Sequence, residues 1–224
     1  MENNLAQHAP PDGLYVDELR DLLQARSITF GQFTLASGDV STYYCDTKAT
    51  ILSPQGSFLV GEVLFSYLKQ LGCDAVGGLT LGGPLIATAI TSSSYQHNSP
   101  IYAFAVRDKQ KTHGLMHTIE ESYHADGEPL IRAGRKACVV DDVVTKGGSV
   151  LKAVEAVVDR GADVVGIVAL VDRGAGGEEA IRQRGLDYVY VYRTDTHGYL
   201  HVNAEFLRRS RSLGEKPTAR SVRR

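Results

Sequence analysis

The sequence predicts an α/β domain on a doubly wound, mainly parallel sheet flanked by helices, preceded by a small N-terminal unit. Two observations carry this. Short apolar runs recur along the chain, from Ala75 to Leu79, Ile101 to Val106, Ala137 to Val140, Val164 to Val171 and Tyr188 to Tyr192, as strands buried on both faces do. Most are followed by a loop containing glycine and then a segment with apolar residues at helical spacing, the alternation that a parallel sheet with crossover helices needs. No repeat of solenoid period interrupts it.

Composition sets the outer bounds. At 224 residues and 43% hydrophobic content the chain can bury one sizeable core with an appendage, and is short for two full domains. A net charge of -2 gives no general case for nucleic-acid or membrane partners. No apolar run approaches the ~18 residues of a membrane span, and the polar start MENNLAQHAPPDG lacks a signal-peptide apolar region. A soluble, cytoplasmic protein is expected. Cys45, Cys73 and Cys138 are odd in number and lack paired ligand spacing, which fits a reduced compartment. Cys73 and Cys138 read as small core residues; Cys45 has no flanking base to make it a nucleophile.

Taken in order, Asp17 to Ser27 places Leu19, Leu22 and Leu23 at helical spacing. Phe30 to Lys48 then changes pattern, with β-favouring residues on either side of Ser37-Gly38-Asp39, and reads as a hairpin. Ser53 followed by Pro54 is a helix start, and Gly72 closes that helix after Leu71. After the strand Ala75 to Leu79 comes TLGGP and a helix from about Leu85. Gly82-Gly83 serves either a tight turn or close backbone approach to a pyrophosphate. The strand Ile101 to Val106 runs into a polar stretch as far as Gly134, a long loop with a possible hairpin, and loops of that length are uncommon unless functional. Its opening residues, Arg107 to Gly114, are either a solvated charge run or a lid over a polyphosphate. A helix from Ser149 to Gly161 and the strand Val164 to Val171 follow. That strand ends in Asp172-Arg173-Gly174, where Arg173 either clamps a planar carboxylate or pairs with Asp172 or another loop acid. A helix from Glu178 to Arg184, capped by Gly185, and the strand Tyr188 to Tyr192 complete the alternation. The Arg-rich tail from Leu207 to Arg224 is expected to be disordered; without aromatic residues it makes no nucleic-acid site.

The chemistry concentrates in Val139 to Val150, VVDDVVTKGGSV. In open parallel sheets ligands bind outside the carboxyl ends of strands, where this pattern puts Asp141 and Asp142. Carboxylates only accept hydrogen bonds, so they suit a ribose diol or a divalent cation. Gly147 and Gly148 permit close backbone approach, and the next helix start offers N–H groups to an anion. A sugar phosphate lying across the loop satisfies both halves. An ordinary βα turn is the plainer alternative. The stretch is neither a dinucleotide fingerprint nor a P-loop.

The stretch resembles the phosphoribosyl pyrophosphate (PRPP) motif of type I phosphoribosyltransferases. In that family the acids, here Asp141 and Asp142, hold the ribose hydroxyls, and the loop Val143, Val144, Thr145, Lys146, Gly147, Gly148 and Ser149 holds the 5′-phosphate. FTLASGxxSxYYxDxK, from Phe33 to Lys48, is similar to the N-terminal hood of one subfamily, the orotate phosphoribosyltransferases. There the backbone around the paired aromatics, here Tyr43 and Tyr44, contacts the pyrimidine. RxxxKxHG is similar to that subfamily's catalytic lid and places Arg107, Lys111 and His113 on PRPP. Arg173 matches the arginine that reads the orotate carboxylate, with Thr145 at the same pocket. The resemblance, from about Phe30 to Arg173, implies a hood over residues 1–52, a phosphoribosyltransferase core over 53–206 and the tail 207–224. It also implies Mg²⁺ carried on PRPP with no direct protein ligand, and a homodimer whose lid reaches the neighbouring site. Lys111, His113, Asp141 and Asp142 are the expected catalytic residues, and orotidine 5′-monophosphate, on the way to UMP, the expected product. Members commonly have lysine where this chain has Ala36, Gly82 and Asp108. A purine phosphoribosyltransferase would share the PRPP motif without the hood and lid patterns, and a PRPP-sensing regulator would want a basic face.

Overall fold

The computed structural model describes residues 15–34, 40–108, 118–123 and 127–211. Helix α1 (Val16–Ser27) leads into an antiparallel pair, β1 (Ile28–Thr34) and β2 (Val40–Cys45), then a single turn α2 (Lys48–Ile51) and the long helix α3 (Pro54–Leu71). The core continues as β3 (Ala75–Leu79), α4 (Gly82–Gln96), β4 (Tyr102–Val106), β5 (Ile119–Glu121), β6 (Lys136–Val144) and α5 (Gly148–Asp159). It ends with β7 (Asp163–Asp172), α6 (Gly177–Arg182), β8 (Tyr188–Thr194), β9 (Leu200–Val202) and α7 (Ala204–Arg211).

The main sheet has seven strands in the order β5-β4-β3-β6-β7-β8-β9. The five central strands are parallel, and β5 and β9 close the edges antiparallel. Strand periodicity splits the core between the two faces. In β6, Cys138 and Val140 join the cluster packed by Leu19 of α1, Leu64 of α3, Ile86 of α4 and Phe206 of α7. Ala137 and Val139 join the other, with Val154 of α5 and Ile181 of α6. Helices therefore cover both faces, as the alternation of the sequence requires.

Helix α3 shows how local chemistry fixes an element. The Ser53 hydroxyl accepts from Gly56 N–H at 3.1 Å, Pro54 takes the first turn, and Gly72 ends the helix at φ 61°. A cap of this kind contributes about 1 kcal/mol. Helix α4 begins at Gly82, ahead of the expected start near Leu85. Its first turn lies directly on the sheet: a Cβ on Gly83 would stand 2.6 Å from the Gly78 Cα, and one on Gly78 2.1 Å from the Val140 carbonyl oxygen.

The hood is sewn to the far edge of the sheet. Tyr192 of β8 donates its hydroxyl to the Val16 carbonyl at 2.7 Å, Gln24 accepts from Leu200 N–H at 2.8 Å, and Tyr43 donates to Thr194 Oγ1 at 2.8 Å.

Two expectations need correction. Strand β6 does not stop at Val140 but continues to Val144, because β7 goes on pairing with it through Val144↔Asp172. Nor does the tail begin at Leu207: α7 carries the chain to Arg211, which corrects the expected disorder for Leu207 to Arg211. Phe206 is fully buried against Tyr67, and Arg209 reaches Asp187 at 2.8 Å and the Tyr67 hydroxyl at 3.2 Å. The rest of the expected tail lies outside the described residues. The long stretch after Val106 does contain a short hairpin, with β5 on β4 and a bridge between Tyr123 and Pro129.

Candidate active site

The acid pair stands where the sheet opens. Strand β3 pairs with β6 only as far as Val139, so Val140 to Val144 have no strand neighbour on that side, and the first turn of α4 fills the gap. Asp141 is buried, and its Oδ1 accepts from Asp142 N–H at 3.0 Å. Asp142 is turned toward the hood, where Thr47 Oγ1 donates to its Oδ2 at 2.6 Å. Lys48 Nζ lies 3.8 Å from the same oxygen and 2.7 Å from Asp46 Oδ1. The other oxygen, Oδ1, occupies the space that a side chain at position 82 would need, 2.0 Å from an ideal Cβ.

Burial, followed by the charge of Asp142, pushes the Asp141 carboxyl from 3.8 to about 7. A carboxyl raised on folding holds its proton more tightly folded than unfolded, so its ionisation destabilises the fold as pH rises from about 4 to about 7. Asp141→Asn removes that liability. The ligand-free variant is expected to melt several degrees above wild type at pH 7.5, with the difference vanishing near pH 4. Parallel melting curves across that range would rule out the buried, raised carboxyl.

The loop after the acids has two kinds of residue. Val143 and Val144 turn their side chains into the two cores, so only their backbone is offered to a ligand. Thr145, Lys146, Gly148 and Ser149 are exposed. Gly147 has φ 78° immediately before α5, and that helix has no side-chain cap on its first N–H groups. A Cβ on Gly177 would press the Thr145 carbonyl at 2.7 Å, so the start of α6 supports the loop from below.

Arg173 leaves the end of β7 toward the hood. Its guanidinium lies 4.7 Å from the centre of the Tyr43 ring, and Nη2 reaches Ser41 Oγ at 3.4 Å. The alternative pairing with Asp172 is not what forms. Asp172, fully buried, accepts from the Tyr188 hydroxyl and from Gly174 N–H, both at 2.6 Å, and its cation is Arg193 at 3.3 Å. Among the described residues no carboxylate pairs with Arg173. Strand alternation separates the paired aromatics: the Tyr43 ring is buried under Arg173, whereas Tyr44 is about half exposed and packs on Phe33.

Arg107, expected on the lid, is ion-paired with Glu120, and Asp108 with Lys152 at 2.9 Å. Lys111 and His113 lie outside the described residues, as do Ala36 and Ser37-Gly38-Asp39. The Cys45 thiol is pushed up to about 11 by burial, which disfavours the thiolate. Sequence reasoning gave no role to Ser41, Asp46, Thr47 or Lys48. Ser41, Asp46 and Lys48 are letters of the hood pattern, but Thr47 falls on a variable position and left no signal.

The site therefore joins a carboxylate pair, an exposed loop opening on a helix start, and a guanidinium stacked on tyrosine that has no carboxylate partner among the described residues. The family model described as phosphoribosyl transferase domain matches residues 73–192, more than half of the chain. An orotate phosphoribosyltransferase of Rhodopseudomonas palustris is 42% identical over 175 residues, 78% of this chain and 91% of the relative. The chain belongs to the orotate phosphoribosyltransferases. An orotate phosphoribosyltransferase of Aquifex aeolicus is 37% identical over 79% of this chain and 94% of its own. The crystal structure of the Mycobacterium tuberculosis orotate phosphoribosyltransferase with Fe(III) dicitrate superposes at TM-score 0.70, with 37% identity over 84% of this chain and 99% of that one. The same enzyme in complex with PRPP gives TM-score 0.64 at 31% identity, over 88% and 98%. As in other orotate phosphoribosyltransferases, the activity is pentosyl transfer: orotate and PRPP become orotidine 5′-monophosphate and pyrophosphate, a step toward UMP.

Proposed function

We propose that in this chain Arg173 takes the orotate carboxylate against Tyr43, while Asp141, Asp142 and the loop Thr145 to Ser149 take the ribose phosphate of PRPP. The observation that carries this is the Arg173 guanidinium, stacked on a buried ring beside a strand-end acid pair and, among the described residues, without a carboxylate of its own. A planar cation with two free N–H donors suits a planar carboxylate.

Displacement at the anomeric carbon with dissociative character needs no enzyme nucleophile, and Cys45 is kept from becoming one. The work is positioning and charge stabilisation. Asp142 accepts from the ribose hydroxyls. Asp141, whose carboxyl burial raises to about 7, faces the same ribose, and its charge, when ionised, stabilises the positive charge that develops on the ring. The loop amides and the first turn of α5 hold the 5′-phosphate. Arg107, Lys111 and His113 close over the pyrophosphate and exclude water. Among the described residues no three or more His, Cys, Asp or Glu are grouped to hold an ion. The acid oxygens at the site mouth nevertheless suit a hard cation that is held mainly by substrate phosphates, as Mg²⁺ commonly is. Bound in that way, Mg²⁺ would offset the charge of the leaving pyrophosphate.

A cytoplasmic homodimer sharing the lid completes the proposal. Among the described residues no helix is long and apolar enough to cross a membrane, and Cys45, Cys73 and Cys138 are free thiols. Incubation with PRPP, Mg²⁺ and orotate, followed by loss of orotate absorbance, tests the whole reading. Turnover with orotate and none with uracil or purine bases is expected; consumption of a purine base instead would overturn it.

A further inference from the structure

We infer that Thr47 is a positioning residue for the transfer reaction, holding the Asp142 carboxylate from the hood side with Lys48 as its companion charge. The inference rests on the reading of Asp142 as a ribose ligand and adds to it a link between hood and core. Thr47 directly precedes α2, a place where threonine ordinarily spends its hydroxyl on the N–H groups of its own helix. Thr47 makes no such bond. Instead it is fully buried and donates to Asp142 Oδ2 at 2.6 Å, across 95 positions of sequence.

The other oxygen depends on a glycine. Asp142 Oδ1 lies where any side chain at position 82 would begin, so Gly82 admits this rotamer and Thr47 selects it. Lys48 Nζ, 2.7 Å from Asp46 and 3.8 Å from Asp142 Oδ2, keeps a cation beside the pair. A carboxylate held through Oδ2 in this rotamer meets the ribose in one orientation. Freed of Thr47 it can rotate, and the ribose hydroxyls lose a preset acceptor.

The test is Thr47→Val, which keeps the shape of the side chain and removes the donor. kcat/KM for PRPP is expected to fall on the order of tenfold or more, the usual effect of losing a hydrogen bond to a charged group, with the KM for orotate within about twofold of wild type. Thr47→Ser should restore PRPP kinetics, and Lys48→Met should show a smaller loss of the same kind. Unchanged kinetics in Thr47→Val overturn the inference. So does an equal loss on both substrates, which would make Thr47 purely structural. Asp142→Asn separates the two levels. If it is impaired while Thr47→Val is not, the ribose reading stands and the Thr47 role falls; if Asp142→Asn turns over like wild type, the ribose reading itself fails.

Discussion

Arg173→Ala is expected to raise the KM for orotate about a hundredfold while the KM for PRPP stays within about threefold. Each charge-assisted hydrogen bond to a carboxylate contributes roughly 1.5–3 kcal/mol, and a guanidinium makes two at once. Arg173→Lys should recover only part of the loss, since an ammonium cannot repeat the planar fork or lie flat on Tyr43. Some stability goes as well, because the contact with the Tyr43 ring contributes about 1 kcal/mol. A melting curve measures that cost separately from the kinetics. A uniform rise in KM for both substrates would show that Arg173 only braces the hood.

Lys111→Ala is expected to lower kcat by two or more orders of magnitude with little change in PRPP binding, because its cation acts on charge that develops as pyrophosphate departs. Arg107, itself assigned to PRPP, does not duplicate that cation, and Asp108 offers the wrong sign. Mixing Lys111→Ala with Arg173→Ala protein tests the shared lid. If each lid serves the neighbouring site, mixed dimers contain one intact site and activity returns; if each lid serves its own site, the mixture stays as inactive as its parts. Wild-type turnover in Lys111→Ala alone would remove the lid assignment.

Much of the architecture was legible because period and punctuation coincide. Ser53-Pro54 and Gly72 bracket α3, and both caps form as their chemistry dictates. Ala75 to Leu79 is a strand from end to end. The end of β6 was not legible. Asp141 and Asp142 read as the close of a strand, yet a ladder continues for as long as its neighbour pairs, and β7 pairs as far as Asp172. Helix α7 was hidden by its arginines, since its buried anchor is the single large apolar residue Phe206 and Arg209 finds a partner not only in Glu205 one turn back but in Asp187, which lies far outside the local pattern. The same holds at the site. Asp141, Asp142 and Arg173 announced themselves by type and position, whereas Thr47 and Gly82 matter through what they meet in space. The residue types alone leave Arg173 between a clamp and a salt bridge with Asp172 or another loop acid, and only three dimensions show Arg193 already beside Asp172.

The first turn of α4 has a consequence for how this loop can vary. Asp142 Oδ1 fills the volume that any residue larger than glycine would claim at position 82, and Thr47 holds the carboxylate there. A version of the loop with lysine at 82 is therefore not a neutral exchange, even if its charge suits the leaving group. It forces the Asp142 side chain to turn, which breaks the Thr47 bond. Positions 47, 82 and 142 thus form an epistatic set: groups in direct contact do not contribute additively, and a residue grafted at one of them carries its benefit only when the other two change with it.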